Sequence, residues 1–190
     1  MGRWQPDALG RLQKAAMELF VEDGYEQTTV AEIAARAGVT ERTFFRYFAD
    51  KREVLFAGGP QLQDFLVKAV AGAPASAAPL DAIAFAMEAA AAEIFAERHD
   101  FARHRQDVIN SSPDLQEREL MKLAALAVAL AGALRDRGAS EPGASLAAES
   151  GVAVFKTAFA RWTGEGGGGA LSEIVRETFA DLRAVIAGGR

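Results

Sequence analysis

Cysteine is absent from this chain of 190 residues, which excludes disulfides, thiolate zinc sites and cysteine nucleophiles. A long hydrophobic run is also missing. The longest one extends only from Leu123 to Leu134, whereas a bilayer-spanning helix needs about 20 residues. The stretch from Met1 to Gly10 contains no apolar segment of the kind found in a secretory leader. We therefore expect a cytoplasmic protein with no membrane partner.

Acidic residues outnumber basic ones, and the formal net charge is −5. The charge is unevenly distributed, because five basic and only two acidic residues lie between Arg36 and Arg52. A basic patch on an acidic body can bind nucleic acid while the rest of the surface resists non-specific association. The overall acidity therefore does not exclude a protein that binds nucleic acid. With 50% hydrophobic and 25% charged residues, the composition is that of a globular protein and not of a disordered one.

The hydrophobic periodicity is helical nearly throughout, and no convincing alternating pattern of a strand occurs. We therefore predict an all-α fold. Thr29 with Glu32, and Asp50 with Glu53, have the spacing of capping boxes, and Thr40 can cap a helix between them. Further helices are predicted over residues 7–23, 79–97, 100–110, 113–137, 143–163 and 170–187.

Two segments are expected to break the helical pattern. Gly58–Gly59–Pro60 should kink or interrupt the helix that begins at Asp50. The small residues and prolines from Ala71 to Pro79 predict a loop. Ser112 before Pro113 is typical of an N-cap followed by proline at the first helical position. The organisation is thus a small N-terminal helical part and a larger C-terminal bundle.

A helix-turn-helix pattern lies between residues 29 and 48. A short turn containing Gly38 separates two short helices, and Ala34 is small enough for the second helix to approach the first closely. The inner face is predicted to consist of Ile33, Ala34, Val39, Phe44 and Phe48. The outer face of the second helix is polar and basic, as entry into a DNA major groove requires, and consists of Glu41, Arg42, Thr43, Arg46 and Tyr47. The alternative is a helical hairpin whose charged face is merely solvated.

The segment from Thr28 to Phe56 closely resembles the DNA-binding domain of TetR family transcriptional regulators, and the resemblance extends over residues 8–57. It implies a three-helix DNA-binding domain over residues 1–57 and a helical ligand-binding and dimerisation domain over residues 58–190. It also implies the set of DNA contacts Thr29, Thr40, Glu41, Arg42, Thr43, Phe45, Arg46, Tyr47 and Lys51.

Within that set, the resemblance implies that Thr29 and Lys51 contact phosphates. Phe45 stands where the family commonly has a tyrosine that binds a phosphate, and phenylalanine is expected only to pack against sugar. Tyr47 stands where the family usually has histidine. Arg42 and Arg46, four residues apart, could each bind guanine in bidentate fashion, while Glu41 either accepts from a cytosine amine or holds Arg42 in place.

Wide apolar stripes run along the last two predicted helices. A four-helix homodimer interface across a two-fold axis would bury them; the alternative is that they serve only the core of the monomer. A homodimer suits a helix-turn-helix protein, because one short helix makes too few contacts for specific affinity. The predicted interface residues are Val152, Phe159, Val175, Phe179, Leu182 and Ile186.

Large apolar side chains in the C-terminal half are candidates to line a ligand pocket, although each is also a candidate for plain core. They are Phe65, Phe85, Met87, Phe101, Met121, Phe155 and Trp162. The segments His99–Gly138 and Val154–Trp162 resemble the C-terminal domain of mycofactocin-type TetR regulators that bind acyl-CoA-like ligands. That resemblance implies an anionic head group bound by Arg103, His104 and Arg105, unless these three form a solvated helix face.

No pattern indicates catalysis, and we predict no enzyme, no cofactor and no metal. Gly164 to Gly169 matches the dinucleotide fingerprint G-x-G-x-x-G, but a strand must precede that motif, so a linker is expected. The resemblance implies a homodimeric repressor that binds a palindromic double-stranded DNA operator and is released by a small effector, either acyl-CoA-like or neutral and hydrophobic. The rival hypothesis is an enzyme or carrier that has lost DNA binding.

Overall fold

The computed structural model describes residues 7–188, and all regular structure in this range is helical. The all-α prediction is therefore confirmed. Residues 1–6, on which the leader prediction partly rests, lie outside the described residues. The helices are α1 (Ala8–Glu22), α2 (Val30–Arg36), α3 (Glu41–Tyr47), a 3₁₀ helix (Arg52–Phe56), α4 (Gly59–Gly72), α5 (Pro79–Glu93), α6 (His99–Asn110), α7 (Pro113–Asp136), α8 (Gly143–Thr163) and α9 (Leu171–Ile186).

The helix start signals of the N-terminal part behave largely as predicted. Thr29 and Glu32 form a reciprocal capping box at the start of α2, and the Thr40 side chain accepts a hydrogen bond from the backbone N–H of Thr43. The Asp50 carboxylate accepts from the backbone N–H of Glu53. However, the element that follows is a short 3₁₀ helix, and a new helix begins at Gly59, so the predicted interruption is present.

The contacts divide the chain into two compact units, of which the first contains residues up to Gly58 together with His104–Glu119. Its core is formed by α1, α2, α3 and the 3₁₀ helix, and by buried Val108, Ile109 and Leu115 from the later segment. Helix α7 begins at Pro113, so Ser112 lies at the predicted N-cap position, and its hydroxyl donates to the Glu26 carboxylate. The domain boundary predicted at residue 57 leaves His104–Glu119 out of the N-terminal domain. Helical periodicity could not indicate this, because it says nothing about contacts between distant parts of a chain.

The second unit contains Gly59–Arg103 and the chain from Leu120 onward. Helix α5 is its centre, because α4, α8 and α9 all pack against it. Its face consists mainly of alanine, with Ile83 and Met87 fully buried, so the neighbouring helices can approach closely. At Gly151 of α8 a β-carbon would collide with the side chain of Ile83.

Two further expectations concern the C-terminal half. None of the described helices combines the length and hydrophobicity needed to span a membrane. The stretch from Gly164 to Gly169 follows directly on α8 and precedes α9, so no strand leads into it. This context supports a linker and not a dinucleotide site.

Candidate nucleic-acid interface

The turn between α2 and α3 is held by glycine conformation and by a side chain from α1. Gly38 has φ of +67°, a left-handed conformation that glycine adopts without steric cost. The guanidinium of Arg11 donates to the carbonyl oxygen of Ala37 over 2.7 Å, and the Val39 N–H donates to the carbonyl of Ala34 over 2.9 Å. Sequence analysis missed Arg11, because nothing in its local spacing indicates a partner 26 residues away.

The inner face of α3 anchors the motif in the first unit. Phe44 is fully buried, and its ring centroid lies 5.2 Å from that of Phe48. Ile33 and Ala34 of α2 are also buried, and Val39 is half-buried. These five residues are those assigned to the inner face from the sequence, so their burial leaves the opposite side of α3 facing outward.

The outer face of α3 carries the predicted contact residues in exposed positions. Glu41, Arg42, Phe45, Arg46 and Tyr47 are exposed, and Phe45 reaches 54%. The Arg46 guanidinium lies 5.0 Å from the centroid of the Tyr47 ring and donates to its hydroxyl. Within residues 7–188 no ion pair joins Glu41 to Arg42, so the structure gives no support to the interpretation that Glu41 holds Arg42.

The basic residues between Arg36 and Arg52 differ in the partners that they bind. Arg36 forms ion pairs with Glu22 at 2.9 Å and Glu18 at 3.7 Å, and Arg52 forms one with Asp50 at 2.8 Å. The hydrogen bond to Arg36 lowers the pKa of the Glu22 carboxyl. In the described part of the chain Arg42 and Arg46 have no carboxylate partner, so the uncompensated positive charge is concentrated on the outer face of α3.

The N-terminus of α2 is occupied by its own capping box. Both the backbone N–H and the hydroxyl of Thr29 donate to the Glu32 carboxylate, each over 2.8 Å. These hydrogen bonds lower the pKa of Glu32. Thr29 is exposed as a phosphate contact requires, but a phosphate would have to replace Glu32 as the acceptor.

The half-buried Lys51 forms hydrogen bonds within the first unit. Its ammonium donates to the carbonyl oxygens of Tyr25 at 2.6 Å and Thr28 at 2.8 Å. It also lies 4.1 Å from the centroid of the Tyr25 ring. An ammonium has three N–H donors, so the phosphate contact that the family resemblance implies for Lys51 stays a prediction.

The apolar residues assigned to a ligand pocket divide between the core and the surface of the second unit. Met87, Phe155 and Trp162 are buried in its core, and Phe65 packs against that core. Three others are about half exposed: Phe85, Phe101 and Met121. The structure therefore does not bring the seven side chains together around one cavity, because their helices turn them to different faces.

The three residues assigned to an anionic head group also separate. Arg103 and His104 are exposed. Arg105, by contrast, belongs to the first unit, where its guanidinium donates to the Leu55 carbonyl over 2.8 Å and lies 5.1 Å from the centroid of Phe56. It also pairs with Glu119 at 3.3 Å, and burial lowers its pKa. Arg105 therefore fastens α6 to the 3₁₀ helix and is not available to a ligand.

The apolar stripes of α8 and α9 serve the monomer more than the sequence suggested. Val152, Val175 and Phe179 are buried in the core of the second unit, while Phe159 and Leu182 are only partly buried. Ile186 is 70% exposed in the single chain. Sequence analysis missed Leu146 on α8 and Val185 on α9, which are 63% and 72% exposed.

Comparison with known proteins identifies the family. The model of the bacterial regulatory proteins of the tetR family matches residues 12–57, and that of the MftR C-terminal domain matches residues 77–187. The chain belongs to the TetR family. The resemblance seen in the sequence is thereby confirmed for both halves, and the family is one of transcriptional regulators and not of enzymes.

Individual relatives of this TetR-family chain agree with that identification. The transcriptional regulator TcmR of Streptomyces glaucescens is 40% identical over 42% of this chain, although the match covers only 35% of its own length. A regulator from Syntrophomonas wolfei has a TM-score of 0.69 at 17% identity and 94% coverage of each chain. FadR of Bacillus subtilis, solved with stearoyl-CoA, has a TM-score of 0.62 at 20% identity, covering 90% of this chain and 95% of that one. At such identities the solved structures show a shared fold.

Proposed function

We propose that this chain is a ligand-responsive repressor that binds a palindromic DNA operator as a homodimer and is released by a small hydrophobic or acyl-CoA-like effector. The main support is the outer face of α3, where two arginines have no carboxylate partner among residues 7–188 and lie beside two exposed aromatic side chains. Arginine recognises guanine edges in the major groove, and apolar groups such as phenylalanine contact thymine methyls. The proposed contact set is Thr29, Thr40, Glu41, Arg42, Thr43, Phe45, Arg46, Tyr47 and Lys51.

A salt titration tests the DNA-binding part of this function. Duplexes of about three helical turns (~30 bp), selected from genomic fragments by the full chain, serve as the probe. Counterion release predicts that the logarithm of affinity falls linearly with the logarithm of salt concentration, with a slope of about −0.9 per phosphate contacted. If the chain selects no fragment and binds no duplex at low salt, the rival hypothesis of an enzyme or carrier replaces this one.

Arg42→Ala and Arg46→Ala are expected to relax the base preference, each at one position of the half-site. Each loss should cost about 1–3 kcal/mol of discrimination, since a bidentate guanine contact is removed. Competition with single-base operator variants measures this effect. Lys14→Ala is the matched control, because Lys14 is an exposed base on α1 that pairs with Glu18. A uniform loss on every duplex for both arginine variants would contradict the base contacts.

The exposed apolar residues of α8 and α9 are the reason for proposing a homodimer. Leu146, Val185 and Ile186 are each more than 60% exposed, and on their own they would leave an apolar surface in water. An isologous pairing of these helices would cover them in both subunits. Two recognition helices about 34–36 Å apart could then read the two halves of a palindrome.

Stearoyl-CoA is expected to release the operator, and the operator should weaken stearoyl-CoA binding by the same factor. This reciprocity is a thermodynamic necessity, and the factor is typically about 5–150. The choice of probe is supported by the resemblance of residues 77–187 to the MftR C-terminal domain and by FadR, which was solved with this ligand. The proposed lever is α4, whose start at Gly59 follows the break after the 3₁₀ helix.

Calorimetry with and without operator DNA measures the factor, and free coenzyme A and stearate are the controls. Tight binding of stearoyl-CoA that leaves operator affinity unchanged would remove it as the effector. A neutral hydrophobic compound that shows the reciprocity in its place would favour the second candidate class.

A further inference from the structure

We infer that Tyr47 is a positioning residue for Arg46, and that the two side chains determine base preference as a pair. The inference rests on the proposed function and deepens it, because it concerns how one guanine contact is made in the major groove. The guanidinium of Arg46 lies 5.0 Å from the centroid of the Tyr47 ring, and its Nη2 donates to the Tyr47 hydroxyl over 3.2 Å. A cation within about 6 Å of a ring centroid is in the range of a cation–π interaction.

The Tyr47 ring is itself supported by buried aromatic side chains of the first unit. Its centroid lies 6.4 Å from that of Phe48, and the Phe48 centroid lies 5.2 Å from that of Phe44. Both distances are typical of interacting aromatic rings. Phe44 has no solvent exposure, and Phe48 is buried. A series of three rings therefore leads from the core of the first unit to the guanidinium of Arg46.

The contact between Arg46 and Tyr47 is made at the end of the recognition helix. Side chains of neighbouring residues on a helix do not ordinarily face each other, so the Arg46 side chain must bend to reach the Tyr47 ring. Helix α3 ends at Tyr47, and the backbone of Phe48 is extended. A long side chain that is restricted in the free protein loses less conformational entropy on binding. The contact thus prepares Arg46 for a bidentate hydrogen bond to guanine.

Arg42 provides the contrast on the same helix. It is exposed, and within residues 7–188 its side chain forms no hydrogen bond, ion pair or ring contact. Both arginines are proposed to bind guanine, but only Arg46 has an aromatic neighbour that restricts it. We therefore expect the base preference of Arg46 to depend on Tyr47, and that of Arg42 to be independent of it.

The positioning role leaves the Tyr47 hydroxyl able to contact DNA directly. A phenolic hydroxyl both donates and accepts hydrogen bonds. In the contact with Arg46 the oxygen accepts, so the O–H remains available to donate to a phosphate oxygen. Phosphate contacts fix the register of a protein on the duplex without reading its sequence. A phosphate contact of Tyr47 would therefore place the pair over one base step.

The experiment measures base preference in Tyr47→Leu and Tyr47→Phe, using duplexes selected by the wild-type chain. Arg42→Ala and Arg46→Ala first show which base pair each arginine reads. Tyr47→Leu should reduce discrimination at the Arg46 base pair by about threefold, the size expected from an exposed cation–π contact. Discrimination at the Arg42 base pair should stay that of the wild type. Tyr47→Phe keeps the ring and should lose less than Tyr47→Leu.

A double-mutant cycle shows whether Tyr47 acts through Arg46. In the Arg46→Ala background, Tyr47→Leu should no longer change discrimination at that base pair, because the side chain that Tyr47 positions is gone. A reduction of the same size in that background would overturn the inference. An equal loss of affinity on every duplex, with base preference intact, would also overturn it and leave Tyr47 as a phosphate contact alone.

A measurement on the free protein tests the contact without DNA. In ¹⁵N relaxation, the Nε–H group of Arg46 should be more rigid on the ps–ns timescale than that of Arg42, and Tyr47→Leu should abolish the difference. Equal mobility of the two groups in the wild type would overturn the inference. If the wild type selected no duplex, the proposed function would fail and the inference with it, whereas a wild-type preference that persists in Tyr47→Leu overturns the inference alone.

Discussion

Phe44→Ala is expected to lower the free energy of unfolding by about 3–5 kcal/mol, which is the usual cost of removing a fully buried phenylalanine. Phe44 has no solvent exposure, and its ring contacts both Phe45 and Phe48. The residual cavity would lie between α3 and the rest of the first unit, so the recognition helix would lose its support. We expect specific DNA binding to be lost at temperatures where the second unit is still folded.

The neighbouring residue provides the matched control for this prediction. Phe45→Ala removes a ring of the same size that is 54% exposed, and surface substitutions usually change stability by no more than about 0.5 kcal/mol. Its expected effect is on DNA affinity alone, through the lost contact with a sugar or a thymine methyl. Chemical denaturation and DNA titration of both variants separate the two effects. Equal losses of stability for Phe44→Ala and Phe45→Ala would contradict the assignment of the two faces.

Local features of the helix-turn-helix segment could be predicted from the sequence. The capping box at Thr29 involves residues three apart, and the division of α3 into a buried and an exposed face follows from helical periodicity. Gly38 lies where the turn needs a positive φ. In each case the residues that determine the geometry are neighbours along the chain. Their pattern therefore contains the information that is needed.

The hydrogen-bond partners of Lys51 and Arg105 could not be predicted from the sequence in the same way. Lys51 binds carbonyls of residues 23 and 26 positions away, and Arg105 binds the carbonyl of Leu55, 50 positions away. A backbone carbonyl has no side-chain signature, so no residue type at any spacing indicates it as a partner. At both positions the sequence shows a positive charge but not the backbone carbonyls that surround it.

The apolar stripes of α8 and α9 show a different limit of prediction from the sequence. Periodicity correctly indicates that one face of each helix is buried, but it does not say whether the same chain or a second copy covers that face. The structure gives the answer residue by residue: α5 lies against both helices, so Val175 and Phe179 are in the core, and Ile186 beyond them is exposed. The predicted interface thus contains both core residues of the monomer and exposed residues.

Phe179→Ala and Ile186→Glu are expected to have opposite signatures, although both residues are on α9. Phe179 is fully buried, so its truncation should lower the free energy of unfolding by about 3–5 kcal/mol at every protein concentration. Ile186 is 70% exposed in the single chain, so Ile186→Glu should leave the fold of the monomer intact. In the proposed dimer, however, the glutamate would be buried as an unpaired charge against the partner subunit, which is costly.

Thermal unfolding at several protein concentrations, together with sedimentation, distinguishes these two effects. A dimer that unfolds to monomers has a Tm that rises with concentration, and Phe179→Ala should keep this dependence at a lower Tm. Ile186→Glu should abolish it and sediment as a monomer. Val128→Glu is the control, because Val128 is equally exposed, at 69%, but lies on α7 and not on α8 or α9. If Ile186→Glu remained a dimer while Val128→Glu dissociated, the interface would lie on α7 and not on α8 and α9.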